Sequence, residues 1–227
     1  VRQPNNPIET YKYLVEVQKI PANTTDYKGA NALHYLARRQ DLLAIDYLIQ
    51  RGAATDVVDK QGNTALMNAC YGTNLEIVKL LEKSKEHLNR ANYKGETALL
   101  IALQRSSSQV VDFLLEKGAD TRATNQKGVG VIEALIASYN PRKKNNEEDF
   151  DQKVALLRKY LVALQAPNSI GDTALHMAVV KGDKALVKKV LSWASVDINS
   201  QNEDGETPLI KAALTAKDTT LLQYLVE

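Results

Sequence analysis

Three histidines, one cysteine and a scatter of carboxylates are the residues of this 227-residue chain whose types could carry acid–base, nucleophilic or metal chemistry. A zinc site needs Cys, His or carboxylate ligands gathered at short spacings. His34, His87, His176 and Cys70 are too far apart to supply such a set. With a single cysteine no disulfide can close within the chain. Cys70 follows Ala69 on an apolar helix and reads as a small core residue rather than a nucleophile. A phosphate-cradling Gly-x-x-x-x-Gly-Lys, a Gly-x-Ser-x-Gly elbow and a His-Glu-x-x-His helix are all missing. Glu76, Asp112, Glu116 and Asp183 fall on helix faces where solubility accounts for them, and no pair stands out for general acid–base work. The expectation is no catalytic residue, no cofactor and no metal.

What recurs instead is a turn. Gly29, Gly62, Gly95, Gly128, Gly171 and Gly205 follow one another at intervals of 33, 33, 33, 43 and 34 residues. A fixed period of this size marks a repeat architecture. Three residues before each glycine stands Asp26, Asp59, Asn92, Asn125, Asn168 or Asn202. Asp and Asn initiate turns by accepting backbone N–H groups, and glycine tolerates the left-handed conformation that closes them. A helix start follows each turn: Asn31-Ala32-Leu33-His34, Thr64-Ala65-Leu66-Met67, Thr97-Ala98-Leu99-Leu100, Thr173-Ala174-Leu175-His176 and Thr207-Pro208-Leu209-Ile210. Thr or Asn caps the free N–H groups, and Ala or Pro suits the first turn. A second helix comes next, as in Leu75–Leu81, Val110–Glu116 and Leu186–Leu191, with apolar residues at helical spacing. Gly52 and Gly118 supply C-terminal stops.

The turn–Gly–x–Thr–Pro/Ala–Leu–His pattern, the Ile/Val-Val-x-x-Leu-Leu run and the Gly118-Ala119-Asp120 ending resemble the ankyrin repeat. The resemblance covers residues 26–227 and implies an all-α solenoid of stacked helix-turn-helix units with short β-turn or hairpin fingers. The repeats then span 26–58, 59–91, 92–124, 125–167, 168–201 and 202–227. The fourth departs most, with Gly130-Val131-Ile132-Glu133 in place of the signature. It also carries the long interval, an insertion at 140–153 between its helices. That insertion reads as a solvated loop or an extended second helix with blocks of opposite charge, or as a second contact surface. Residues 1–25 give one amphipathic helix through Ile8, Tyr11, Leu14, Val15 and Val17, expected to cap the first repeat. The resemblance also implies that His34 and His176, at equivalent positions, hold the turn of their own repeat by hydrogen bonds.

In a stack of this kind the turns form a row of fingers and line a concave groove with the first helices. The finger pairs are Tyr27-Lys28, Lys60-Gln61, Tyr93-Lys94, Gln126-Lys127, Ser169-Ile170 and Glu203-Asp204. The row passes from basic and aromatic to apolar and then acidic. Arg38 and Arg39, Tyr71, and Gln104 and Arg105 extend it along the first three first helices. Tyr and Arg concentrate binding energy at interfaces, and Lys steers charged partners. The expected partner-binding set is therefore Tyr27, Lys28, Arg38, Arg39, Lys60, Gln61, Tyr71, Tyr93, Lys94, Gln104, Arg105 and Lys127, facing an acidic patch on another protein.

Composition sets the remaining bounds. The chain is 44% apolar and 25% charged with a net charge of +2, and a pI near 8.5. That is too mild a basic balance for a nucleic-acid binder. No apolar run approaches the roughly 18 residues that span a membrane. The sequence begins at Val1 and stops at Glu227 within the second helix of repeat six. It leaves open whether more chain follows or that helix is the end cap. Compartment stays open too: cytoplasmic, or exported if a signal segment preceded Val1. The resemblance implies a protein-binding module, monomeric when unbound. Within that class the expectation is a regulator or inhibitor of one partner, with a hydrolase as the candidate. The alternative is an adaptor or secreted-effector fragment whose activity lies elsewhere.

Overall fold

The computed structural model describes residues 7–143 and 145–215. Two compact units divide the chain within the finger of repeat four, Val1–Gln126 and Lys127–Glu227. The first unit opens on α1 (Pro7–Lys12), whose last turn widens to π-helical hydrogen bonding over Tyr13–Val17. Repeat one follows as α2 (Ala32–Arg39) and α3 (Leu42–Gln50). Repeat two holds α4 (Ala65–Ala69), α5 (Leu75–Leu81) and the short α6 (Lys85–Leu88). Repeat three holds α7 (Ala98–Arg105) and α8 (Ser108–Glu116). The second unit contains α9 (Val131–Ser138) and α10 (Asn146–Lys159), α11 (Ala174–Lys181) and α12 (Lys184–Leu191), and α13 (Pro208–Thr215). The second helix expected for repeat six lies outside the described residues. Among the described residues β-structure is confined to isolated antiparallel bridges, Val58 to Thr64 and Ala91 to Thr97, at the bases of two fingers. The architecture is the all-α ankyrin-repeat solenoid.

Each finger folds as its sequence dictates. The Oδ1 atom of Asp59 accepts the N–H groups of Gln61 and Asn63, both at 2.8 Å. Asn92 does the same for Lys94 and Glu96 at 2.9 Å, and Asn202 for Asp204 and Glu206 at 3.1 and 2.9 Å. Glycine is obligatory where successive fingers touch. Gly95 has φ +78°, and a Cβ there would lie 2.8 Å from the Asn125 Cα. Neighbouring fingers are then linked through the backbone: Lys60 N–H donates to the Lys28 carbonyl (2.7 Å), Tyr93 to Gln61 (2.9 Å) and Gln126 to Lys94 (2.9 Å).

The core is a line of small and branched residues from both helices. Leu33, Ala37, Ile45, Leu66, Ala69, Ile77, Val78, Leu99, Ala102, Val110, Val111 and Leu114 are all buried. Cys70 is completely buried among them, and burial pushes its thiol up to about 12. The histidines do more than hold their own turns. His34 Nδ1 accepts the Asn31 N–H at its own helix start (3.2 Å), while its Nε2 reaches the Asn63 carbonyl of the next finger (3.1 Å). His176 repeats the arrangement, with Thr173 N–H at 3.1 Å and the Glu206 carbonyl at 2.9 Å. The sequence reading placed both bonds within one repeat; the ring is long enough to couple two. His87 sits half-buried in α6.

The N-terminal segment meets repeat one through Glu16. The Glu16 carboxylate accepts from the Tyr47 hydroxyl (2.9 Å) and the Arg51 guanidinium (2.5 Å), while Tyr13, Leu14 and Val17 stay exposed. In repeat four, Glu133 stands where repeats one and five carry His, and its carboxylate accepts the Gly130 N–H (3.0 Å). The insertion becomes a pinned turn and a second helix extended to 14 residues. Buried Asn146 donates to the Ser138 carbonyl (3.2 Å) and accepts from the Asn140 N–H. Tyr139 packs edge-on against Phe150 with centroids 5.1 Å apart, and its hydroxyl donates to Glu147 (2.9 Å). Lys153, 2% exposed, is paired with Asp149 at 2.8 Å one helical turn away.

Candidate protein-binding site

Fingers one to three and helices α2 and α4 enclose a concavity of about 530 Å³ in the first unit. Its floor includes Ala30, His34, Asn63 and Asn68; its rim carries Tyr27, Lys28, Lys60, Gln61 and Lys94. Tyr35 and Arg38 line it from α2, and Tyr71 from the turn just after α4. Of the residues expected to bind a partner, the structure brings together Tyr27, Lys28, Arg38, Lys60, Gln61, Tyr71 and Lys94. Five fall elsewhere. Tyr93 lies against the second finger, where a Cβ on Gly62 would meet its ring at 2.9 Å. Arg39 and Arg105 are exposed at the ends of α2 and α7, Gln104 is half-buried on α7, and Lys127 belongs to the second unit.

Two lining residues, Tyr35 and Asn68, escaped the sequence reading. Tyr35 stands three residues before Arg38 on α2, a spacing that shares a helix face, and Asn68 stands near the end of α4, three residues before Tyr71 in the following turn. The Tyr35 hydroxyl donates to Asp26 Oδ2 at 2.5 Å. That bond is the largest cause holding the Asp26 carboxyl below the usual range and lifting the Tyr35 phenol above its own.

Charge in the cavity is unevenly committed. The lining carboxylates are occupied within the fingers: Asp59 by Gln61 and Asn63, Glu96 by the Asn92 amide (3.0 Å). Lys28, Arg38, Lys60 and Lys94 make no ion pair among the described residues. Two of them lie over rings, Lys28 5.5 Å from the Tyr27 centroid and Arg38 4.5 Å from that of Tyr71. Four cations thus face two internally bonded carboxylates. Among the described residues no three His, Cys, Asp or Glu side chains gather as metal ligands, and no helix is long and apolar enough to cross a membrane.

The sequence pattern for ankyrin repeats in three copies matches residues 33–125 and again 127–227. The chain belongs to the ankyrin-repeat family. Ankyrin repeats are protein-interaction modules, generally non-catalytic scaffolds that bind other proteins. Among solved structures, the chain is similar to one from the complex of the predatory endopeptidase Bd0816 of Bdellovibrio bacteriovorus with immunity protein Bd3460. The TM-score is 0.69 and the identity 27%, over 88% of this chain and 98% of that one. The ankyrin-repeat domain of Bcl-3 shares the fold, with a TM-score of 0.67 at 21% identity and full coverage of both chains. Curated relatives include the human channel subunit transient receptor potential A1, 28% identical over 76% of this chain and 15% of that protein. The Arabidopsis thaliana E3 ubiquitin-protein ligase KEG is 27% identical over 66% of this chain and 10% of that protein. The chain spans about a tenth to a third of the length of such relatives.

Proposed function

We propose that this chain is a non-catalytic regulator, monomeric when unbound, that grips an acidic surface of one partner protein with the concave face of repeats one to three. The observation that carries the reading is the cavity itself. Three tyrosines and four cations from three consecutive repeats line one concavity, and among the described residues none of these cations makes an ion pair. Exposed cations on a concave surface raise the rate of encounter with an acidic partner, and tyrosine rings supply contact area at low entropic cost. Inhibition of a hydrolase is supported by the likeness to a chain from a complex of an endopeptidase with an immunity protein. A second reading, an adaptor segment whose activity lies in other domains, is supported by the small share of its curated relatives that this chain spans.

The test is capture of a partner by the intact chain, by Lys28→Glu/Lys94→Glu and by Lys83→Glu, an exposed lysine outside the cavity. The double variant should associate about tenfold more slowly, with a flatter salt dependence, whereas Lys83→Glu should bind as the parent does. Equal binding and salt dependence in all three proteins would refute the cavity as the contact. The purified partner, assayed for hydrolysis with and without the chain, separates an inhibitor from an adaptor.

A further inference from the structure

We infer that the Arg38 guanidinium, held over the Tyr71 ring, is the seat for one Asp or Glu side chain on an acidic segment of the partner. This rests on the reading proposed above and names the chemistry of its contact. The Arg38 Cζ, on α2, lies 4.5 Å from the ring centroid of Tyr71, in the turn that follows α4 of the next repeat, so two adjacent repeats fix the group together. Both side chains face the concavity. Among the described residues the guanidinium has no ion-pair partner, and its donors are uncommitted. The carboxylates around it are engaged: Asp26 by Tyr35, Lys28 and Ala30, Asp59 by Gln61 and Asn63, and Glu96 by Asn92.

A guanidinium offers five donors in a planar fork that matches a carboxylate bidentately, and stacking on an aromatic ring removes part of the ordering cost before the partner arrives. The other cations differ in chemistry: Lys28, Lys60 and Lys94 stand one on each of three fingers as point charges, and Lys28, though it lies over the Tyr27 ring, has no planar fork to orient a carboxylate. The planar Arg38 fork pairs with a flat carboxylate through two parallel N–H···O bonds, and a carboxylate is the ligand proposed; a phosphate, which the four cations would also attract, is an outcome of the test below.

The experiment is fluorescence anisotropy of the full chain with three labelled probes: hexaglutamate, hexaglutamine and a ten-nucleotide oligothymidylate. Hexaglutamate should bind best. Arg38→Lys, which keeps the charge but loses the fork, should weaken it about tenfold. Tyr71→Ala should weaken it several-fold while Tyr71→Phe, which keeps the ring, stays within about twofold. Lys28→Glu/Lys94→Glu should weaken it and flatten its salt slope. If only the lysine pair matters, the Arg38 seat is wrong and the acidic-surface reading stands. If hexaglutamate binds no better than hexaglutamine, both are wrong. Tighter binding of the oligothymidylate would replace the carboxylate by a phosphate ligand and overturn the proposal. Should Tyr71→Ala lower the melting temperature, Arg38→Lys and Tyr71→Phe alone decide, since both conserve volume at exposed positions.

Discussion

The two units solve the same stacking problem with different chemistry at the end of the second helix. In the first unit Gly52 and Gly118 close repeats one and three, at φ +86° and +87°. In the second, Leu161 holds the equivalent place after α10, at φ +59° and 92% exposed. The hydrogen bonds match: Ala53 to the Leu48 carbonyl, Ala119 to Leu114 and Val162 to Leu157. The backbone demand is therefore set by the repeat, and the second unit meets it with a residue that suits it poorly. The joints between first helices differ as well. In the first unit, neutral side chains close them: the Gln40 amide donates to the Ala37 and Ala69 carbonyls, and the Ser106 hydroxyl to Gly72. In the second, the Lys181 ammonium caps the end of α9 by donating to the Ile136 and Ala137 carbonyls at 2.8 and 2.9 Å. In the first unit the finger lysines Lys28, Lys60 and Lys94 make no ion pair among the described residues. The second unit spends charged and aromatic groups on holding an enlarged repeat together.

That contrast can be broken by substitution. Phe150→Ala should have the largest effect, destabilising the second unit by about 3–4 kcal/mol through the cavity left beside Tyr139. Chemical denaturation followed with an unfolding probe in each unit measures it, and partner binding by the first unit should persist below the transition. Gly95→Val should cost about 3 kcal/mol, because the left-handed backbone and the approach of Asn125 both oppose a side chain. Gly205→Ala, with nothing within 4 Å of its Cβ, should cost only about 1 kcal/mol in the same assay. Leu161→Gly should go the other way and stabilise by about 1 kcal/mol, seen as a higher melting temperature; a loss of stability would mean that the leucine makes a contact worth more than its strain.

The smallest effect is on titration. Tyr35→Phe removes the main cause that holds the Asp26 carboxyl low, so its pKa should rise toward the ordinary aspartate value in an NMR titration. The sign follows for stability: a depressed carboxylate contributes above its unfolded pKa and is lost as pH falls through the folded one. Loosening of the first finger on acidification should therefore begin at higher pH in the variant.

The period of glycines and the Asp or Asn three residues before each were enough to place every described finger, because turn chemistry is local. The first helices and their buried stripe were legible for the same reason. The division of the site was less so. Tyr27 and Tyr93 occupy the same place in the repeat, yet one lines the cavity and the other rests on Gly62 of the finger before it, a seat that Tyr27, on the first finger, does not have. Tyr35 carries no mark in the repeat signature and emerges only once α2 is seen end to end with its hydroxyl on Asp26. Nor could spacing alone decide whether the insertion was loop or helix. What decides it is the pairing of Tyr139 with Phe150 and the burial of Asn146, contacts between residues on either side of a turn. The reach of His34 and His176 into the next finger is likewise a property of stacked neighbours.

Hydrogen–deuterium exchange on the complex with the captured partner tests the central claim most directly. Protection is expected at the fingers holding Tyr27-Lys28, Lys60-Gln61 and Lys94, and along α2 and α4, with the turn at 139–143 and 145 exchanging as in the free chain. Protection centred on that turn or on α10, with the three fingers unchanged, would contradict it.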